Sequence, residues 1–254
     1  MIFLYSIQSV NVISVLSCYL ISQASLWLLS EAKISKFKTS VTNDNHTFLD
    51  GIKFGLKAHL SNVITFMNYR LALYLVSYML GASATGKYAL SIQLAEVLWL
   101  ISSAASMIVF PESAAHNKSP AELHKMIKKI AGSVFQITLA GALLAATLAP
   151  FAIPWIFGKA YEGSVLPFII LLPGIAVWSY MSVLSNSLAG MGYVQINIWS
   201  ALLCLSINIV GDFWAIPLYG ANGAASASTI AFTVTTIYTV VMYRRIVAKR
   251  LKIR

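Results

Sequence analysis

Residues 60–81, LSNVITFMNYRLALYLVSYMLG, form an apolar run with Arg70 at its middle. The hydrocarbon core of a bilayer is about 30 Å thick and takes about 20 helical residues to cross, so the run reads as a transmembrane helix with its guanidinium roughly ten residues from either end. Arginine cannot shed its proton inside a protein. On insertion scales a charge at that depth costs about 2.5–3.5 kcal/mol. The side chain must therefore face other helices or a wet cavity, where an intramembrane Arg is a functional residue by default. The competing reading is an Arg that snorkels or makes one structural ion pair.

Apolar runs of similar length recur along the chain. Apolar residues make up 58% of it, mean hydropathy is +0.76, and only 10% of residues are charged, against about 25% in an ordinary soluble domain. The runs are too long and too many for a soluble core. The alternating ten-residue strands of an outer-membrane barrel are not visible. The expected fold class is all-α, a polytopic membrane protein with about seven transmembrane helices.

Read in order, a first span covers residues 1–29. It has no basic start and no small-residue cleavage site, so it is not a signal peptide. Lys33, Lys36 and Lys38 follow as a basic stop, and residues 39–51 are polar and turn-forming. The later spans are 60–81, 88–110, 130–149, 164–188, 194–216 and 224–243. Gly81 to Gly86 forms an outer turn, Pro111 ends the third span and Pro150 the fourth. Ser119, Pro120 and Glu122 fit a helix start with a capping box. After them Leu123, Met126, Ile127 and Ile130 share one face, as in an amphipathic helix lying at the inner surface. Pro173 with Gly174 marks a kink in the fifth span and a candidate hinge. Gly190 and Gly192 make a tight inner turn. Gly220, Ala224 and Ser228 put small residues at every fourth place, a spacing that lets helices approach closely. The organisation expected is a helix at 1–30, a cytoplasmic loop at 31–51, a six-helix lobe at 52–245 and a basic cytoplasmic tail at 246–254.

Charge tests this topology. Net charge is +10, and fifteen of the eighteen Lys and Arg residues fall on the predicted inner side. Outside lie Lys87 and Lys159. Such asymmetry is the positive-inside signal. It also suits anionic lipid head groups. Nucleic acid is not an expected partner.

Chemistry-bearing motifs are sparse. His46, His59, His116 and His124 fall in inner loops or at inner helix ends, with no nucleophile at a catalytic spacing. There is no HExxH, P-loop or GxGxxG. No metal site, cofactor or enzymatic activity is expected. Cys18 and Cys204 read as small buried hydrophobes, and Asp212 as an interfacial residue. Arg70 and Glu96 do form a constellation. Counted from the turn at 81–86, both lie roughly 15 Å from the outer end at 1.5 Å per residue. The reading is that they pair, directly or through water, between antiparallel helices. Asn68 and Gln93 could add hydrogen bonds nearby. The alternative is a pair that only neutralises itself and ties the hairpin.

A series of short motifs carries a resemblance. They are Phe54-Gly55-Leu56, Asn68-Tyr69-Arg70, Leu80-Gly81, Ala84-Thr85-Gly86 with Tyr88-Ala89, and Gln93 with Glu96. Phe110-Pro111, Leu172-Pro173-Gly174, Leu188 with Gly190, Asn208, and Ile216-Pro217 with Gly220, Gly223 and Ala225 complete it. From about residue 50 to 245 their order and spacing resemble the bacterial polysaccharide flippases, which move lipid-linked O-antigen, capsule or exopolysaccharide units. That family belongs to the superfamily that includes multidrug and toxin extrusion transporters.

The resemblance implies a two-lobed, alternating-access transporter of the bacterial inner membrane. Residues 52–245 would be its C-terminal lobe and 1–30 the last helix of the other lobe, the rest of which would be missing from a truncated chain. The implied substrate is a polyprenyl-pyrophosphate-linked glycan, its anionic part held in a cationic cavity by Arg70. The implied protein partner is the other lobe or a second copy. Family members often carry an Asp two residues after this Arg. Here it is Ala72, which leaves Glu96 as the acidic neighbour and puts Asp-dependent ion coupling in question. The basic residue usual after the inner turn is absent. The function expected is therefore flipping of lipid-linked glycan units. A cation-coupled drug exporter of the same fold is the alternative, and a membrane glycan polymerase or acyltransferase a more distant one.

Overall fold

A computed structural model describes residues 12–34, 45–115 and 119–252. The start of the first predicted span, Lys36, Lys38, residues 39–44, His116 and Lys118 lie outside the described residues. Two compact units separate between Asp50 and Gly51. The first contains α1 (Val12–Ile34), which runs beyond the expected end at 29. Cys18 on it is exposed rather than buried.

The second unit is all helical. A long α2 (Asn45–Ala114), which belongs to this unit from Gly51 on, is broken only at Gly81, whose φ of 81° and ψ of −178° leave the helix. Positive φ is a conformation that glycine adopts without a Cβ penalty. The break divides α2 into two arms, residues 45–80 and 82–114. Ala72 and Val76 on the first arm share a buried cluster with Tyr88 and Ala95 on the second, so the arms fold back on each other. The turn expected over 81–86 is thus a single residue, and Thr85 is already helical, its Oγ1 donating to the Gly81 carbonyl at 2.8 Å. The polar loop expected to reach residue 51 also ends early, because α2 begins at Asn45.

After α2 come α3 (Pro120–Phe157), a short 3-10 turn (Lys159–Ser164), α4 (Val165–Gly190), α5 (Val194–Tyr219) and α6 (Ala221–Lys252). Among the described residues five helices are long and apolar enough to cross a membrane, with folded α2 counted as one. The expected capping box at α3 is present: Glu122 N donates to Ser119 Oγ, and Ser119 N to Glu122 Oε2 at 3.0 Å. The amphipathic segment that follows is not a separate surface helix. It continues unbroken into the span, and Leu123 and Ile127 are buried beside Val183, Leu184 and Leu188. Pro150 and Pro154 lie inside α3 rather than ending it. The basic tail is likewise the last turns of α6.

Helix α6 packs against both α4 and α5, and α3 packs against α4. Glycine sets these approaches. A Cβ on Gly211 would lie 2.8 Å from the Cβ of Ala227. The two buried clusters lie at opposite ends of the lobe, one towards the turns at Gly81, Gly158 and Gly220, the other towards the turn at Gly192. Large apolar side chains such as Leu143, Phe151, Trp155, Val210 and Trp214 remain exposed, as helices facing hydrocarbon require.

Candidate functional site

A cavity of about 170 Å³ opens between the two arms of α2. Phe66, Arg70 and Leu73 line it from the first arm, and Ala89, Ile92, Gln93 and Glu96 from the second. Both sets follow helical spacing, so each is one face of its arm. Three of the four expected binding residues, Arg70, Gln93 and Glu96, therefore meet in one hollow. Their register differs from the expectation. The break is at Gly81 alone, so helical rise sets Gln93 opposite Arg70 and Glu96 about one turn, ~5 Å, deeper. The Arg70 guanidinium lies over the Phe66 ring, 5.3 Å from its centroid. Among the described residues it makes no direct ion pair with Glu96. The cavity thus presents a cation with its front open, held from behind by an aromatic face.

Asn68 is only two residues from Arg70, roughly 200° around the helix, and points the other way. It is 2% exposed. Its Oδ1 accepts from Asn208 Nδ2 at 2.7 Å, and its own Nδ2 donates to Cys204 Sγ at 3.4 Å. This ties the first arm to α5 with a side-chain bond that the sequence reading missed, because Asn68 and Asn208 lie far apart in the chain. Cys204 is buried as expected but also accepts this bond. One turn beyond Asn208, Asp212 is 1% exposed, not interfacial. Its Oδ1 and that of Asn208 have no hydrogen-bond partner among the described residues. Tyr88 lies close enough to Asp212 to feel its charge.

Glu96 joins the two regions. Besides the Arg70 cavity it borders a second hollow of about 30 Å³, with Asn68, Tyr88, Trp99 and Ser228. That space suits about one water molecule.

Pro173 and Gly174 lie within a continuous α4. In the turn that Pro173 disturbs, the Ile170 carbonyl accepts from Thr229 Oγ1 at 2.6 Å. Gly174 is the point where α4 meets α6: a Cβ there would sit 2.8 Å from Thr229 Cα and 3.2 Å from Phe232. At the far end, Arg250 donates to the Met191 carbonyl at 3.2 Å and lies over Tyr193. A base from the end of α6 thus holds the turn that has none of its own.

The family model described as polysaccharide biosynthesis protein matches residues 3–166. The chain belongs to this polysaccharide biosynthesis family. The match takes in Arg70, Gln93 and Glu96, and ends at the start of α4. No curated protein matches the chain. Two solved structures share the family member's fold. One is an outward-facing multidrug resistance MATE family transporter of the MOP superfamily, with a TM-score of 0.59 at 20% identity. It is matched over 74% of this chain and 43% of that one. The other is a MOP superfamily transporter from Pyrococcus furiosus, with a TM-score of 0.56 at 18% identity over the same shares. The chain thus spans less than half the length of either. Family and fold together describe a multi-pass membrane protein.

Proposed function

We propose that this chain forms one lobe of a flippase that moves polyprenyl-pyrophosphate-linked oligosaccharide units across the bacterial cytoplasmic membrane, with its C-terminus inside. The observation that carries the reading is Arg70 in the cavity between the arms of α2, beside Gln93 and Glu96. A guanidinium presents several donors in a planar fork suited to phosphate oxygens. Half-way along a membrane helix it offers an anionic head group a station between the two surfaces. No bond is made or broken; passage is binding followed by a change of shape. The rest of the cavity would come from a second lobe, supplied by further sequence or by another chain. The family match to polysaccharide biosynthesis supports a glycan cargo.

Cation-coupled drug export is the second reading. Buried, unpaired Asp212 favours it, and the cationic cavity disfavours the cationic drugs such exporters carry. The test is delivery of a lipid-linked glycan to the outer face in cells that depend on this chain. Arg70→Ala abolishes delivery at normal protein level, and Arg70→Lys retains part of it because the charge stays while the fork is lost. Normal delivery by Arg70→Ala would refute the reading.

A further inference from the structure

We propose that the lobe carries a separate subsite for uncharged sugar rings, in a hollow at the end of the bundle near the Gly192 turn; this deepens the flippase reading and rests on it. The hollow measures about 280 Å³ and lies between the first arm of α2, the end of its second arm, α4 and the start of α5. An adjoining hollow of about 380 Å³ shares Phe110, Ser182 and Asn186 with it. Together they approach the size of ordinary small-molecule sites.

The lining chemistry selects the ligand. Among the described residues no charged side chain lines either hollow. An anion would find no cation there, and a metal ion or organic cation no carboxylate. Amides and hydroxyls share the lining with apolar groups instead: Asn62, Ser182, Ser185, Asn186 and Asn197 line the space, with Trp178 as an aromatic wall. Polar side chains on membrane helices are costly and mark ligand paths. Lipid tails would gain nothing from them.

Several of these groups are held ready. Asn197 donates its Nδ2 to the Ser185 carbonyl at 2.9 Å, and Asn186 donates its Nδ2 to the Ser182 carbonyl at 2.9 Å. These bonds fix the amide planes and leave Asn197 Oδ1 buried with no partner among the described residues, as is Ser185 Oγ. A buried acceptor without a partner is costly, so a small shift that turns either group into the hollow lets a ligand hydroxyl offset that cost. A pyranose ring supplies hydroxyls at its rim and an apolar C–H face for an aromatic wall.

Position links the subsite to Arg70. Asn62 and Thr65 line this hollow, and Phe66 and Arg70, next along the same arm, line the other. A charged head group at Arg70 would place the first sugars beside the amide-lined hollow.

The test is thiol protection on the full chain in lipid nanodiscs. Exposed Cys18 is changed to Ser, and buried Cys204 is kept. Asn186→Cys and Asn62→Cys report on the hollow, and Leu73→Cys reports on the Arg70 cavity with the arginine intact. Each variant is labelled with a water-soluble thiol reagent, alone and with neutral oligosaccharides (maltose and N-acetylglucosamine series) or inorganic pyrophosphate. At ten times its half-saturating concentration a neutral oligosaccharide slows labelling of Asn186→Cys and Asn62→Cys about tenfold by mass action, and pyrophosphate does not. Adding Asn197→Ala removes that protection. If no sugar in the panel slows labelling at either position, the hollow holds only water and the subsite is refuted. Protection by pyrophosphate at these positions refutes it too. Failure of pyrophosphate to protect Leu73→Cys counts against the Arg70 reading alone.

Discussion

Arg70 and Asn68 differ in fate because two residues along a helix are about 200° apart around it. One reaches an open cavity, and the other is buried in a bond to Asn208. The burial has a measurable consequence. Asn208→Leu leaves Asn68 Oδ1 without its donor, and an unsatisfied buried polar group costs about 1–3 kcal/mol. Thermal unfolding in detergent should show that loss for Asn208→Leu and for Asn68→Leu. The double variant should lose less than the sum, since neither partner is then stranded. Additive losses would mean that the 2.7 Å bond does not couple the two helices. Arg70 was legible in the sequence because a charge inside an apolar run has few explanations. Asn208 and Asp212 were not, because nothing local tells a polar residue facing a neighbour from one near the surface.

Among the elements, the capping box at Ser119 and the α2 hairpin were readable from residue order, and their extents were not. Gly81 and Gly86 both looked like turn residues, but only Gly81 takes a positive φ, and that shifts the facing register of the arms. Pro150 looked like a stop, yet a membrane helix accommodates proline when its surroundings relieve the disturbed backbone. Pro173 with Gly174 read as a hinge. The structure adds a tight crossing there, with Thr229 bonded to the Ile170 carbonyl. Gly174→Ala is therefore expected to lower stability by about 1–3 kcal/mol, the usual cost of overpacking. Unchanged stability would show that α4 and α6 are looser there than the 2.8 Å approach requires.

On the scale of the whole molecule, charge and packing agree on the two ends. Lys125, Lys128 and Lys129 on α3 and Arg244, Arg245, Lys249 and Arg250 on α6 lie at the end that buries Leu123, Ile127, Tyr243 and Val247. Lys87 and Lys159 lie at the other, towards the Gly81 and Gly158 turns. In the proposed flippase the positive-inside rule would set the basic end in the cytoplasm. In intact cells carrying single cysteines, an impermeant thiol reagent should label Lys159→Cys, and Lys128→Cys only after the membrane is opened. The reverse pattern would invert the topology. The role of the cavity between the arms is tested most directly by equilibrium binding of a polyprenyl pyrophosphate to the full chain in nanodiscs. Removing one charge-assisted contact worth about 1.5–3 kcal/mol should weaken binding about ten- to a hundredfold in Arg70→Gln, and Glu96→Gln should bind at least as tightly as the unaltered chain. Equal affinity of Arg70→Gln and the unaltered chain would contradict the account.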